Sequence, residues 1–411
     1  MKINSDKIYL ILLVVGLTIS FGQSNIQIIP SFFYVGLSYG SIILAFFLLA
    51  ILNKIYLTKI DVFLIVPLFI FQFFANYYSY SLGFINNRFI NFITFILGYL
   101  VFVNHSKKGQ LKQSNLNLIL NIFIYVSIIS SIFALLFQLN SNIFSFRNDS
   151  NFNISNQWSS FWGQRNQFAF VLMAGLFSIV IKFYMHTVSK KYFISISMLF
   201  LVCALLTLSR TTLLSIAVSL VVYILLILWV DKKKFIYFVS FLVICMIIYI
   251  NSLTLQNFIE TYFLRTNSGL TGRDTLWEMA ISYMDSFTLV FGRGIGIERV
   301  LLRDDIIGAG IGFHNMYLTY IVTGGIILFS SIIYLFLNQI FILFKYKDII
   351  GIQTSYLLIS IIVAFAVHAF FEVDNLFVVS FPSLILTYFI FVIPKSIVHL
   401  KLEGVNEGEI L

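Results

Sequence analysis

Residues 190–234 read KKYFISISMLFLVCALLTLSRTTLLSIAVSLVVYILLILWVDKKK. Two apolar runs flank a short polar turn, Thr207 to Arg210. Each run matches the roughly 17–25 residues that a helix needs to cross a bilayer. Lysines close both far ends, and an arginine sits at the turn. Lys collects in cytoplasmic loops, so the stretch reads as a transmembrane hairpin with both ends in the cytoplasm and Arg210 at the outer lip. A backbone in lipid has to hydrogen-bond to itself, and nothing here alternates with period two, so helices are expected rather than a barrel.

The same pattern fills the chain. It has 411 residues, 60% hydrophobic, 18% aromatic and 10% charged, with mean hydropathy +0.96. Soluble domains carry about 25% charged residues. The expected fold is an all-α polytopic membrane protein, one domain over residues 1–411. About twelve spans lie near 8–23, 31–52, 60–79, 86–103, 116–138, 166–185, 191–208, 210–230, 234–251, 313–343, 354–370 and 374–394. The N-terminal stretch resembles a signal peptide but lacks a small-x-small cleavage site, so it reads as a retained first helix. Cys203 and Cys245 fall inside predicted helices, which argues against a disulfide framework. Gly324-Gly325, midway in the long tenth span, predicts tilt or a kink.

Lysine and arginine separate by side. All 17 lysines fall on the face that the hairpin assigns to the cytoplasm, with both termini. All nine arginines (Arg88, Arg147, Arg165, Arg210, Arg265, Arg273, Arg293, Arg299 and Arg303) fall on the other. A topology signal needs only positive charge. What distinguishes arginine is its planar fork, which binds phosphate or carboxylate through paired hydrogen bonds. Arg88, Arg165, Arg210 and His314 stand at predicted helix starts, where the macrodipole disfavours cations unless an anion is bound there too.

A large external loop, 252–312, joins the ninth and tenth spans and holds five arginines and seven acids. Within it, Leu276, Trp277, Ala280, Ile281 and Met284 recur at helical spacing. They predict a short amphipathic helix lying on the membrane or folding over the bundle. "GRGIG" at 292–296 is no dinucleotide fingerprint, because no strand precedes it; it reads as a flexible turn. Glu372 and Asp374 read as caps of the last helix, or Glu372 orients His314. Asp304-Asp305 is read as unrelated to a metal site.

Four stretches in order carry a family resemblance: "FWGQRNQFAFVLMAG" (161–175), "LTLSRTTLLSIAVSL" (206–220), "TGRDTLWEMAI…LVFGRGIG" (271–296) and "FHNMYLTYIVTGGI" (313–326). With about twelve spans and a large late loop, residues 90–390 resemble the O-antigen polymerase and ligase superfamily, of Wzy and WaaL types, with a GT-C-like membrane architecture. The resemblance implies a metal-independent, inverting glycosyl transfer from an undecaprenyl-diphosphate donor in a bacterial cytoplasmic membrane. It implies catalytic roles for His314, Arg273 and Arg210. Arg165, Asn166, Arg88, Arg265, Arg293, Asn315 and Glu372 become candidate substrate-binding residues.

The residues themselves suit that chemistry. A diphosphate leaving group gains charge as the glycosidic bond breaks, and preorganised guanidinium groups stabilise such charge. A histidine can accept or orient a sugar hydroxyl proton. The rival readings are an idle interfacial His314 and loop arginines that only balance the acids. At the level of function, the expectation is a Wzy-type repeat-unit polymerase without a cofactor. Its partners would be lipid-linked oligosaccharides as donor and acceptor, the bilayer, a chain-length regulator and a flippase, and no nucleic acid. The alternatives are a ligase of the same superfamily and a flippase, although a transporter's related halves and mid-membrane ionisable groups are not evident. Cysteines introduced at Ser268 and Lys233 test the orientation. An impermeant thiol reagent should label the first on intact cells and the second only after lysis; labelling of both from outside would refute it.

Overall fold

The computed structural model describes residues 5–25, 31–55, 57, 59–81, 89–104, 111–137, 159–162, 164–230, 232–253, 256, 273–295, 297, 301, 312–372 and 375–408. All regular structure among them is helical. The long helices are α1 (Ser5–Asn25), α2 (Ser31–Ile51), α3 (Lys59–Ser81), α4 (Phe89–Tyr99), α5 (Gln113–Phe137), α6 (Arg165–Tyr184), α7 (Lys190–Thr207), α8 (Arg210–Val230) and α9 (Lys232–Asn251). Two short helices follow, α10 (Arg273–Ser282) and α11 (Ser286–Phe291). Then come α12 (Met316–Lys345), α13 (Ile352–Phe371), α14 (Phe381–Thr387) and α15 (Ile393–Gly408). Among the described residues eight helices are long and apolar enough to cross a membrane, and three shorter apolar segments accompany them. The protein is an all-α, multi-pass membrane protein with about eight to eleven apolar helices.

The chain divides into two compact units. The first comprises Met1–Asn121, Arg273–Ile342 and Ala369–Leu411, and the second Ile122–Gly272 and Leu343–His368. In the first unit, α4 runs into a π turn at Leu100–Asn104, and α14 reaches α15 through another at Tyr388–Val392. A π turn breaks the usual backbone ladder. Side chains bond to carbonyls of the first: Tyr9 Oη donates to Val101 O at 2.8 Å and Lys395 Nζ to Val103 O at 3.2 Å. Tyr388 Oη in turn donates to Tyr9 O at 2.5 Å.

In the second unit α6 is the most enclosed helix, with Phe168 to Met173 all buried. Ser127 Oγ donates to Val171 O at 2.7 Å, and Trp162 Nε1 to Ser130 Oγ at 2.9 Å. His368, buried, stacks on Phe170 with centroids 4.2 Å apart. These contacts fix the start of α6 among α5 and α13.

The expected kink is present. Gly325 leaves helical geometry inside α12, at φ 66° and ψ −172°. That break changes where two carbonyls are satisfied. Val322 O accepts from Arg293 N, and Thr323 O from Gly294 N, both at 2.8 Å. Gln72 on α3, 1% exposed, bridges the same turn; its Nε2 donates to Thr323 O at 3.0 Å and its Oε1 accepts from Ile295 N at 3.1 Å. The described part of the "GRGIG" stretch is thus docked onto α12, against the expectation of a flexible turn. Unpaired backbone groups away from water are costly, and this exchange of donors removes that cost.

The last span departs from its expected boundaries. Helix begins at Phe381, not near 374, with Pro382 in its first turn. Proline fits there because the first N–H groups of a helix have no intrahelical acceptor. The apolar residues before it are held outside the helix by hydroxyl side chains, two of them distant in sequence. Leu376 N donates to Tyr320 Oη at 2.9 Å, Phe377 N to Thr387 Oγ1 at 3.2 Å, and Phe381 N to Ser20 Oγ at 2.9 Å. Glu372 therefore does not cap the last helix, and Asp374 lies outside the described residues.

A methyl group at Gly325 would meet Val290 O at 2.1 Å and force a strained positive φ. Gly325→Ala should lower stability by roughly 2–4 kcal/mol, read as the melting transition in detergent. Gly36→Ala, where a Cβ meets nothing within 4 Å, should leave it almost unchanged.

Candidate active site

Three chain segments of the first unit converge. The helix predicted in the late loop exists as α10, beginning at Arg273. Its inward residues are Leu276, Met279 and Ala280, continued by Tyr283 and Met284. They pack on Ile297, Leu301, Phe313, Leu318 and Val322. Ile281, expected on this face, is 59% exposed instead, because it follows Ala280 by about 100° around the helix. This packing fixes the N-terminal residue, Arg273.

The second segment is the bend before α12. Phe313 is fully buried, and Asn315 is 2% exposed. Asn315 Oδ1 accepts from Leu318 N at 3.0 Å, capping the helix, and its carbonyl accepts from Thr319 Oγ1 at 2.9 Å. His314, anchored on both sides, is driven to φ 48°. A left-handed conformation is uncommon for histidine and costs on the order of 1 kcal/mol. Its side chain stays one-third exposed.

The third segment is the end of α13. Phe370 and Phe371 pack against Trp277 of α10, with centroids at 5.5 and 6.3 Å, and Phe370 also meets Tyr317 of α12 at 6.3 Å. Glu372 follows at once. Its Oε1 accepts from Arg273 Nη2 at 2.6 Å, and its Oε2 lies 3.4 Å from His314 Nδ1. Side-chain exposures of Arg273 and Glu372 are 14% and 13%. A carboxylate at a helix C-terminus opposes the macrodipole. The two basic partners offset that opposition.

Beside this cluster, α11 lies along α3. Phe71 stacks on Phe291 at 4.8 Å, and Tyr78 packs tilted against Phe287 at 4.3 Å. Asp285 caps α11: its Oδ1 accepts from Thr288 N at 2.6 Å, and its Oδ2 from Tyr78 Oη at 2.7 Å. Arg293 Nη2 approaches Oδ2 at 3.4 Å, while its Nε donates to Thr288 Oγ1 at 3.1 Å. Burial pushes the Asp285 carboxyl up, but these donors and the Arg293 charge outweigh it and hold it below its ordinary 3.8.

Residues 195–333 match the model of the Wzy_C family, described as O-antigen ligase. The match covers about a third of the chain. Members of that family are membrane enzymes that transfer glycosyl groups in polysaccharide assembly. No curated protein and no solved structure matches the chain.

The Wzy_C segment runs from inside α7 to inside α12 and holds Arg210, Arg273, Arg293, His314 and Asn315. Arg165, Asn166 and Glu372 lie outside it. Of the expected site residues, the structure brings Arg273, His314 and Glu372 together in the first unit. Arg293 is committed to Asp285 and Thr288, and Asn315 to its cap. Arg165 and Arg210 stand at the starts of α6 and α8 in the second unit, as expected, with Asn166 next to Arg165. Arg88, Arg147, Arg265, Arg299, Arg303, Asp304 and Asp305 lie outside the described residues. Among the described residues no group of three or more His, Cys, Asp or Glu side chains could hold a metal. Gln72, Tyr78 and Ser79 carry no sequence signal beyond polarity in an apolar run; Ser79 Oγ donates to Arg293 O at 2.5 Å.

Because the folded carboxyl of Asp285 is held low, its stabilising contribution is present above 3.8 and is lost as pH falls below it. Asp285→Asn should therefore melt earlier than wild type at neutral pH, and the two melting curves should converge in acid. A gap that persists unchanged in acid would exclude an ionised cap.

Proposed function

We propose that the protein is a Wzy-type polymerase joining undecaprenyl-diphosphate-linked repeat units into a capsule, exopolysaccharide or O-antigen chain. The observation that carries this reading is the meeting of Arg273, His314 and Glu372 at the ends of α10, α12 and α13. In the reading, the chain crosses the bacterial cytoplasmic membrane about twelve times. Both termini are cytoplasmic, and the reaction takes place at the external face. The growing chain is the donor, and a hydroxyl of the incoming lipid-linked unit attacks its anomeric carbon.

Arg273 stabilises the charge that builds on the departing diphosphate, since a fixed guanidinium in a water-poor site needs little reorganisation. His314 takes the acceptor proton. For Arg210 and Arg165 the sequence resemblance implies anion binding as well. A cofactor or metal has no part in this scheme. A ligase would use the same groups to pass finished polymer to another acceptor; the difference lies in what the acceptor site admits.

Deleting the gene separates the readings. Loss of a polymerase leaves single repeat units already across the membrane, loss of a ligase leaves long polymer on lipid diphosphate, and loss of a flippase traps units inside. In purified form, His314→Ala should lower turnover about 10²–10⁴-fold with the protein still expressed. Arg273→Lys should be nearly as impaired as Arg273→Ala, because it lacks the fork. Activity that EDTA abolishes and Mg²⁺ restores would overturn the metal-free scheme.

A further inference from the structure

We infer that Glu372 is a positioning residue that fixes the tautomer and ring orientation of His314 and is itself held in place by Arg273. The inference rests on the proposed role of His314 as proton acceptor. A neutral imidazole carries its proton on one nitrogen and accepts on the other, and the partner of the first decides which. Here Nδ1 faces a carboxylate oxygen at 3.4 Å. A carboxylate can only accept, so it selects the form with the proton on Nδ1 and leaves Nε2 as the base.

The placement of Glu372 argues for such a task. It stands just past Phe371, the last residue of α13, where the helix dipole works against a negative charge. Retaining an acid there needs compensation, and Arg273 supplies it through a 2.6 Å ion pair. Each carboxylate oxygen thus has its own basic partner. The chain on either side is rigidly set. Phe370 and Phe371 are wedged on Trp277, one helical turn beyond Arg273 in α10. His314 is pinned between buried Phe313 and the cap residue Asn315.

In the step this serves, the acceptor hydroxyl oxygen bonds to the anomeric carbon as its proton passes to His314 Nε2. The bond from that carbon to the diphosphate oxygen breaks, its electron pair leaving with undecaprenyl diphosphate. His314 then returns the proton to solvent. The negative charge of Glu372 stabilises the imidazolium formed meanwhile, and Arg273 keeps that charge aligned.

The test uses the purified full-length enzyme with lipid-linked repeat units. Glu372→Gln should lower kcat by about 10–100-fold, the usual loss when a supporting partner is removed, with KM within about threefold. Glu372→Asp, which keeps the charge, should recover at least part of that loss. In a His314→Ala background, Glu372→Gln should add almost nothing, because its effect passes through the imidazole. Full activity of Glu372→Gln, or an equal additional loss in the His314→Ala background, would overturn the inference. So would Glu372→Asp as impaired as Glu372→Gln with an unchanged melting transition. If Glu372→Gln fails to fold, Glu372→Asp alone and combined with His314→Ala provides the same comparison. An active His314→Ala enzyme would instead refute the parent reading, whereas inactive His314→Ala with active Glu372→Gln would refute only this one.

Discussion

The two carbonyls released at the Gly325 break set the layout of the first unit. Val322 and Thr323 would ordinarily bond to the next turn of their own helix, and in an apolar surrounding no water can substitute. They bond instead to backbone N–H groups of Arg293 and Gly294, with Gln72 closing the third side. This substitution ties the late loop to α3 and α12 at once. From that tie α11 extends back along the aromatic side of α3, while α10 lies over Phe313 and Val322. Arg273 and His314 are carried to their places by packing that starts at a break in a helix.

The division of labour among the charged residues follows from their surroundings. Arg293 lies within reach of a capping aspartate and a threonine hydroxyl, so its fork is used to hold the loop. Arg273 begins a helix whose inward side is apolar, and the group opposite it is a glutamate that also faces the histidine. Both side chains are only about one-seventh or less exposed, so burial alone does not separate a brace from a site residue. What separates them is the partner, a cap in one case and the neighbour of an imidazole in the other.

Much of this was legible in the sequence because a membrane demands long uniform apolar runs. The starts of α6, α7 and α8 fall within a residue of expectation, since the charges that mark them have no place inside the runs. The kink at Gly325 was equally plain from two glycines in a long helix. Residues 375–380 misled for the opposite reason. Leu376 to Val379 are as apolar as a span, but their conformation is decided by hydroxyls on Tyr320, Thr387 and Ser20, the last 361 residues from the N–H of Phe381 that it accepts. Gln72 was illegible in the same sense, because its partners lie more than 220 residues away. The amphipathic stripe of α10 is legible except at Ile281, an apolar residue beside the inward face, and at Met279, which packs inward outside the expected stripe.

The π turns of the first unit bear on how such a chain can change over generations. Each inserts the equivalent of one residue into a helix, which rotates everything beyond it by about 100° relative to an unbroken α-helix. Beyond Tyr388–Val392 the helix continues as α15, where Ile393 to Val398 are all buried, so the side chains there are packed for this shifted phase. A one-residue deletion inside that turn would restore regular winding and rotate the downstream side chains away from their neighbours, whereas most conservative exchanges of side chain would not. Length is therefore guarded more strictly than composition in this short segment.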